Sequence, residues 1–195
     1  GLFLGALAAA YVRFFHATLE RVAKLRIGTA ARLIGGLVLV GIVGAFLPLN
    51  LSDGYPVIND ALAGKLPATL MVTLAVAKIA TSSLSLACGA PGGVFGPIFF
   101  IGAISGGAFR SLSASVFPTL TGPRGSYALV GLAAFLGACT HAPLTAVFLL
   151  FETTGSYEIA LPALVTVILA VIVASAIEPE SIDTLGLARA GTSLE

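Results

Sequence analysis

"GAPGGVFGPIFFIGAISGG", residues Gly89 to Gly107, holds seven glycines and two prolines in an apolar stretch without a charge. Both residue types cost helix stability, so a hydrophobic segment this rich in them must interrupt its helix. A helix N-terminus presents unpaired N–H groups and about half a positive charge, so it holds an anion without lysine or arginine. In Gly92-Gly93-Val94-Phe95-Gly96-Pro97, the first glycines let the backbone bend and approach closely, and Pro97 suits a first helical turn. The spacing predicts a helix from about Phe95 to Phe109, with Arg110 at its far end, where a cation suits the dipole and reaches the membrane interface. A second reading of the same residues makes Gly92 and Gly93 a loop. For Gly102 and Gly106, four residues apart, a helix packing face is the better reading.

Composition identifies the solvent. Of the 195 residues, 57% are hydrophobic and 10% charged, with a mean hydropathy of +1.05. A soluble domain carries about a quarter charged residues, so most of this surface faces lipid. The net charge is +1 and the basic residues are scattered, with no basic stripe interleaved with aromatics; nucleic-acid binding is excluded. Cys88 and Cys139 lack the spacing of a zinc site or a disulfide framework and read as small buried thiols. Because the chain opens on Gly1 inside an apolar run with no signal-peptide pattern, it is expected to be part of a longer protein.

Uncharged windows run over 33–52, 66–77, 79–109, 125–151 and 159–177. A clean crossing needs about 20 apolar residues, and several windows are too short or are punctuated by Pro91, Pro97, Pro143 and Pro162. This is the pattern of broken and re-entrant helices, tolerated only where the exposed backbone lies in protein or lines a cavity. The first segment gains Arg13, Arg21, Lys24, Arg26 and Arg32 after Tyr11, which marks a cytoplasmic end. His16 lies in that boundary and reads as a surface or interfacial histidine. Between Pro48 and Pro67 a loop and a short helix over about Val57 to Ala63 are predicted.

The absence of charge around the glycines also bears on transport, since a conducting site must release an ion as readily as it takes one. Thr81, Ser82, Ser83 and Ser85 place hydroxyls near the break, to solvate an ion or to satisfy helix carbonyls. Lys78 interrupts an apolar run and must snorkel, pair or line water, which makes it a candidate for the ion pathway. Glu152 is the other intramembrane candidate: a helix-end carboxylate bonded to nearby groups, or a proton relay. His141 beside Cys139 has no acid partner spaced to orient it, so an enzyme reading has little support.

These residues resemble a known family. "GAPGGVFGP" is similar to the GxFxP signature of CLC chloride channels and chloride/proton exchangers, with Gly93, Val94, Phe95, Gly96 and Pro97 in its five places. "GLAAFLGACTHAPLTAVFLLFETTGSYEIALP", Gly131 to Pro162, resembles the family's later stretch. The resemblance covers nearly the whole chain. It implies an all-α, multi-pass integral membrane protein, the second inverted repeat of a CLC-type domain over 1–178, followed by a cytoplasmic-side helix or tail over 179–195. Chloride or a similar anion would be the ligand, held largely by the N–H groups of Val94 and Phe95, with no other cofactor.

The resemblance also implies partners: the lipid of a plasma (inner) membrane, the other half of the transport domain, and a second copy in a homodimer near about Pro143 to Phe151 and Ala160 to Ile177. The family's GSGIP and GREGP stretches, which supply a central serine and a gating glutamate, are not in this sequence. Where members often carry a tyrosine in a "SIY"-like sequence, this chain reads "SID", so Asp183 takes the inner-gate position. A carboxylate facing an anion repels it, so Asp183 is expected to point into a cytoplasmic vestibule or to be partly neutralised. The alternatives are half of a different secondary transporter, or a non-transporting membrane subunit.

Overall fold

Helices follow from the breaks the sequence sets. A computed structural model describes residues 1–51, 54–118, 121–155 and 157–184, and its regular elements are all helical. They are α1 (Leu2–Ala23), α2 (Thr29–Phe46), α3 (Tyr55–Leu62), α4 (Ala68–Ala87), α5 (Phe95–Val116), α6 (Arg124–Thr140), α7 (Pro143–Thr154) and α8 (Tyr157–Ile177). A 3-10 turn over Pro48–Asn50 joins α2 to α3. Prolines occupy the first turns of α3 and α7, where a missing N–H costs nothing. With Pro56 in its first turn, α3 starts at Tyr55, two residues before the sequence expectation.

One boundary departs clearly from that expectation. The helix beginning at Phe95 does not stop near Arg110 but runs on to Val116. Its end is set by Phe117, which precedes Pro118 and has left helical geometry (φ −130°, ψ 72°). Ser111, Leu112, Ser113, Ala114 and Ser115 tolerate the helix, so polarity alone did not end it. Arg110 thus lies within α5, not at its dipole end.

Five described helices are long and apolar enough to cross a membrane: Leu2–Ala23, Thr29–Phe46, Ala68–Ala87, Phe95–Val116 and Ile159–Ile177. Gly125–Thr140 and Pro143–Glu152 are apolar but shorter, as the punctuated windows imply. The core has two parts. One joins α1, α6 and α8 through Tyr11, Phe135 and Val167; the other sets Val57 of α3 and Leu74 of α4 against Phe100 and Ile104 of α5. Helix α5 contributes to both, with Ile98 and Ile101 on the first.

Helices α5 and α6 approach on glycine. A Cβ on Gly102 would lie 2.8 Å from the Gly131 carbonyl oxygen, and one on Gly106 would collide with the Tyr127 carbonyl. This is the packing face read from the sequence. An apolar cavity of about 770 Å³ opens beside this seam, lined by Leu2, Phe3, Phe109, Val130, Pro162 and Leu169. Much of α2 and α8 stays exposed, including Ile34, Val38, Leu161 and Ile172, as suits lipid or a partner.

Candidate functional site

The turn between α4 and α5 is built by Gly89, whose φ of 91° is left-handed. The Ala90 N–H bonds back to the Ser85 carbonyl and the Gly89 N–H to the Leu86 carbonyl, closing α4. The left-handed residue of the turn is thus Gly89; Gly92 and Gly93 lie between bends at Pro91 and Val94, and neither has a positive φ. The close approach expected of them is also absent within the chain. A Cβ on Gly93 would meet nothing within 4 Å, and one on Gly92 only the Leu86 side chain at 3.5 Å.

From Pro91 to Gly93 the chain is exposed, and Val94 forms the N-cap of α5. No side chain caps this helix. Its first backbone bond runs from the Ile98 N–H to the Val94 carbonyl at 3.1 Å, so the N–H groups of Val94, Phe95 and Gly96 precede the helical ladder, and Pro97 has none. Phe95 is 53% exposed, while Val94 packs against the core cluster that contains Ile98. An uncapped helix start of this kind can accept an anion from the open side.

The neighbouring polar residues divide. Ser82 Oγ donates to the Lys78 carbonyl at 2.6 Å, and Thr81 Oγ1 donates to the Ala77 carbonyl and accepts from Asn50 Nδ2, both at 2.9 Å. These hydroxyls satisfy protein groups. Ser83 differs: it is fully buried, and its Oγ has no protein hydrogen-bond partner. Lys78 is buried and does not stand at the α5 start. Its ammonium donates to the Asn50 carbonyl at 3.1 Å and lies 4.9 Å from the centre of the Phe100 ring, so it ties the Pro48–Asn50 turn to α4 and α5.

Glu152 lies exposed in the last turn of α7, at a helix end as expected. Asp183 is likewise exposed, and its N–H donates to Ser181 Oγ at 3.3 Å. Ser181 and Thr184 cap each other: the Thr184 N–H bonds Ser181 Oγ at 3.2 Å and the Ser181 N–H bonds Thr184 Oγ1 at 2.9 Å. The two hydroxyls and the two N–H groups thus satisfy one another across three residues. The rest of the expected C-terminal helix or tail, 185–195, lies outside the described residues. Ile182 is buried in the large core cluster that also contains Ile98 and that Val94 packs against.

His16 is the residue the sequence reading misplaced. It is buried, 7% exposed, and its ring edge meets Phe15 while Nε2 stands 2.9 Å from the Ile182 carbonyl. No local pattern links positions 166 residues apart. His141 caps α6 in left-handed geometry (φ 55°), and burial lowers its pKa against the opposing pull of Glu180 and Glu178.

Comparison with known proteins agrees with this architecture. The family model described as voltage gated chloride channel matches residues 1–175. The H(+)/Cl(−) exchange transporter ClcA of Klebsiella pneumoniae is 35% identical over 136 residues, 69% of this chain and 29% of that protein. A slow cyanobacterial Cl−/H+ antiporter solved by X-ray crystallography superposes with a TM-score of 0.81 at 24% identity, over 100% of this chain and 46% of that one. The chain thus spans less than half the length of either relative, and the likeness to the antiporter speaks for the fold. With the family model covering nearly all of the sequence, the chain belongs to the voltage gated chloride channel family.

Proposed function

We infer that this chain is the second half of a transport domain that passes chloride or a similar small anion across a membrane, as a channel or as a chloride/proton antiporter. The observation that carries the reading is the uncapped start of α5. Backbone N–H groups at Val94 and Phe95 precede the helical ladder, beside open space at Gly93, with no side chain closing the helix. A dipole-based site of this kind offers partial positive charge without a fixed ammonium, which favours entry without preventing release.

In this reading Gly92 to Pro97 shape the anion site, and the exposed Asp183 lies on the cytoplasmic approach. Ser83, with its free hydroxyl, is the better candidate than Ser82 for a polar lining. Lys78 acts at a distance through its charge, and Glu152 remains a helix-end carboxylate. Family membership sets aside the unrelated-transporter alternative. The complete protein is a multi-pass protein of the plasma (inner) membrane. Its partners are the opposing half of the domain and a second copy, for which the exposed faces of α7 and α8, with Leu144, Phe148, Leu161 and Val165, are available.

The test is chloride efflux from liposomes containing the complete protein, with proton movement recorded at the same time. Chloride flux with opposed proton flux identifies an antiporter; chloride flux alone identifies a channel. Absence of chloride flux from well-folded protein overturns the proposal in favour of a non-transporting subunit.

A further inference from the structure

Two residues of α1 hold the segment that follows α8. Arg13 Nε donates to Glu178 Oε2 at 2.8 Å, and Arg13 Nη2 donates to the Ile177 carbonyl. One turn further along α1, His16 Nε2 donates to the Ile182 carbonyl at 2.9 Å. On its other side the Ile182 N–H donates to the Cys139 carbonyl, at the end of α6, at 2.8 Å. Ile182 is therefore pinned by two hydrogen bonds, one to α1 and one to α6, and it is 4% exposed. Asp183, exposed, is the next residue.

The pin matters because Asp183 is the next residue along the chain. Ile182 is buried in the large apolar cluster that also contains Ile98 and that Val94 packs against, so a displaced Ile182 moves the Asp183 carboxylate and disturbs that cluster. A buried carbonyl that loses its donor is costly, so loss of the His16 bond leaves the Cys139 bond as the remaining backbone tie of Ile182. Arg13, which is about half exposed, adds a second tie at Glu178, where water screens it.

We propose that His16, assisted by Arg13, is a positioning residue for anion passage: its bond to the Ile182 carbonyl sets where Asp183 stands relative to the α5 start. This rests on the reading of the α5 start and Asp183 as parts of one pathway. His16 touches no anion. It acts through Ile182, and what it supplies is a donor at fixed height on α1.

The experiment uses the complete protein in liposomes and two readouts. The first is the rate at which a membrane-impermeant, charged methanethiosulfonate modifies the thiol of Asp183→Cys; the native Cys88 and Cys139 are buried. The second, in the Asp183 protein, is the chloride concentration that half-saturates flux. Losing the buried donor in His16→Leu is expected to change the modification rate by about tenfold and half-saturation by about threefold, with maximal flux affected less. His16→Gln, whose amide keeps a donor, is expected to restore both.

Unchanged modification and half-saturation in folded His16→Leu overturn the proposal, as does a changed modification rate with unaltered half-saturation. If His16→Leu does not fold, Arg13→Glu and its charge-swapped partner Arg13→Glu/Glu178→Arg decide by the same readouts. Disturbance in the first and recovery in the second support the proposal, and no disturbance overturns it. A parent protein without chloride flux overturns the function reading instead, a separate failure because modification is measured without flux.

Discussion

The middle of α5 and the segment that leads into it use glycine for opposite purposes. In its middle, Gly102 and Gly106 meet Gly131 and Tyr127 so closely that backbone atoms occupy the place of a side chain. Just before its start, Gly92 and Gly93 have ordinary φ and room for a Cβ. The middle glycines are explained by contacts within this chain; those at the start are not. A glycine without a conformational or steric reason in its own chain points to something outside it, which on the proposed function is the anion and the opposing half of the domain.

The comparison is most severely tested at Gly106→Leu. The new side chain would have to displace the Tyr127 carbonyl and Gly131 Cα, so a loss of about 3 kcal/mol or more is expected, read as lost thermal stability or lost folded yield in detergent. Tolerance there would break the claim that the seam demands glycine. Gly93→Leu inverts the pattern: stability stays within about 0.5 kcal/mol while chloride flux falls by about tenfold or more. Unchanged flux would remove Gly93 from the anion site.

Smaller effects separate the turn from the site. Gly89→Ala forces a Cβ into left-handed backbone and is expected to cost about 1–2 kcal/mol, whereas Gly92→Ala should be neutral or stabilise by up to about 1 kcal/mol. A thermal-unfolding pair decides between them. The smallest change is expected at His141→Asn, which suits left-handed geometry better and should gain a few tenths of a kcal/mol. Burial lowers the His141 pKa in the fold, so the unfolded chain binds the proton more readily. Its contribution is therefore full above about pH 6.5 and is lost as pH falls through the depressed value. His141→Asn is expected to remove that acid-side slope of stability.

The start of α5 was legible because its signals are local. Proline and glycine positions predicted the start of α5 at Phe95, and the structure begins the helix there. The later end, at Val116, is not legible from charge, because Arg110 does not stop the helix and the stop comes from Phe117 preceding Pro118. Ser82 and Ser83 are adjacent and chemically identical, yet one is bonded to the Lys78 carbonyl and the other is not. That distinction depends on which face of α4 meets which neighbour. The role of Lys78 likewise came from Asn50 and Phe100, both distant along the chain.

What the sequence by itself determined is what backbone rules and solvent demand: lipid as the surrounding medium, helices as the membrane-crossing element, their interruption at glycine and proline, and an uncharged helix start at Val94 and Phe95. These follow from φ restriction, missing N–H groups and the cost of charge in hydrocarbon, all of which act residue by residue. Tertiary structure alone decided which glycines are packed and which stand open, and that His16 is buried against a carbonyl 166 residues away. The physical reason is that burial and hydrogen-bond satisfaction belong to pairs of distant groups, and a linear pattern carries no term for who meets whom.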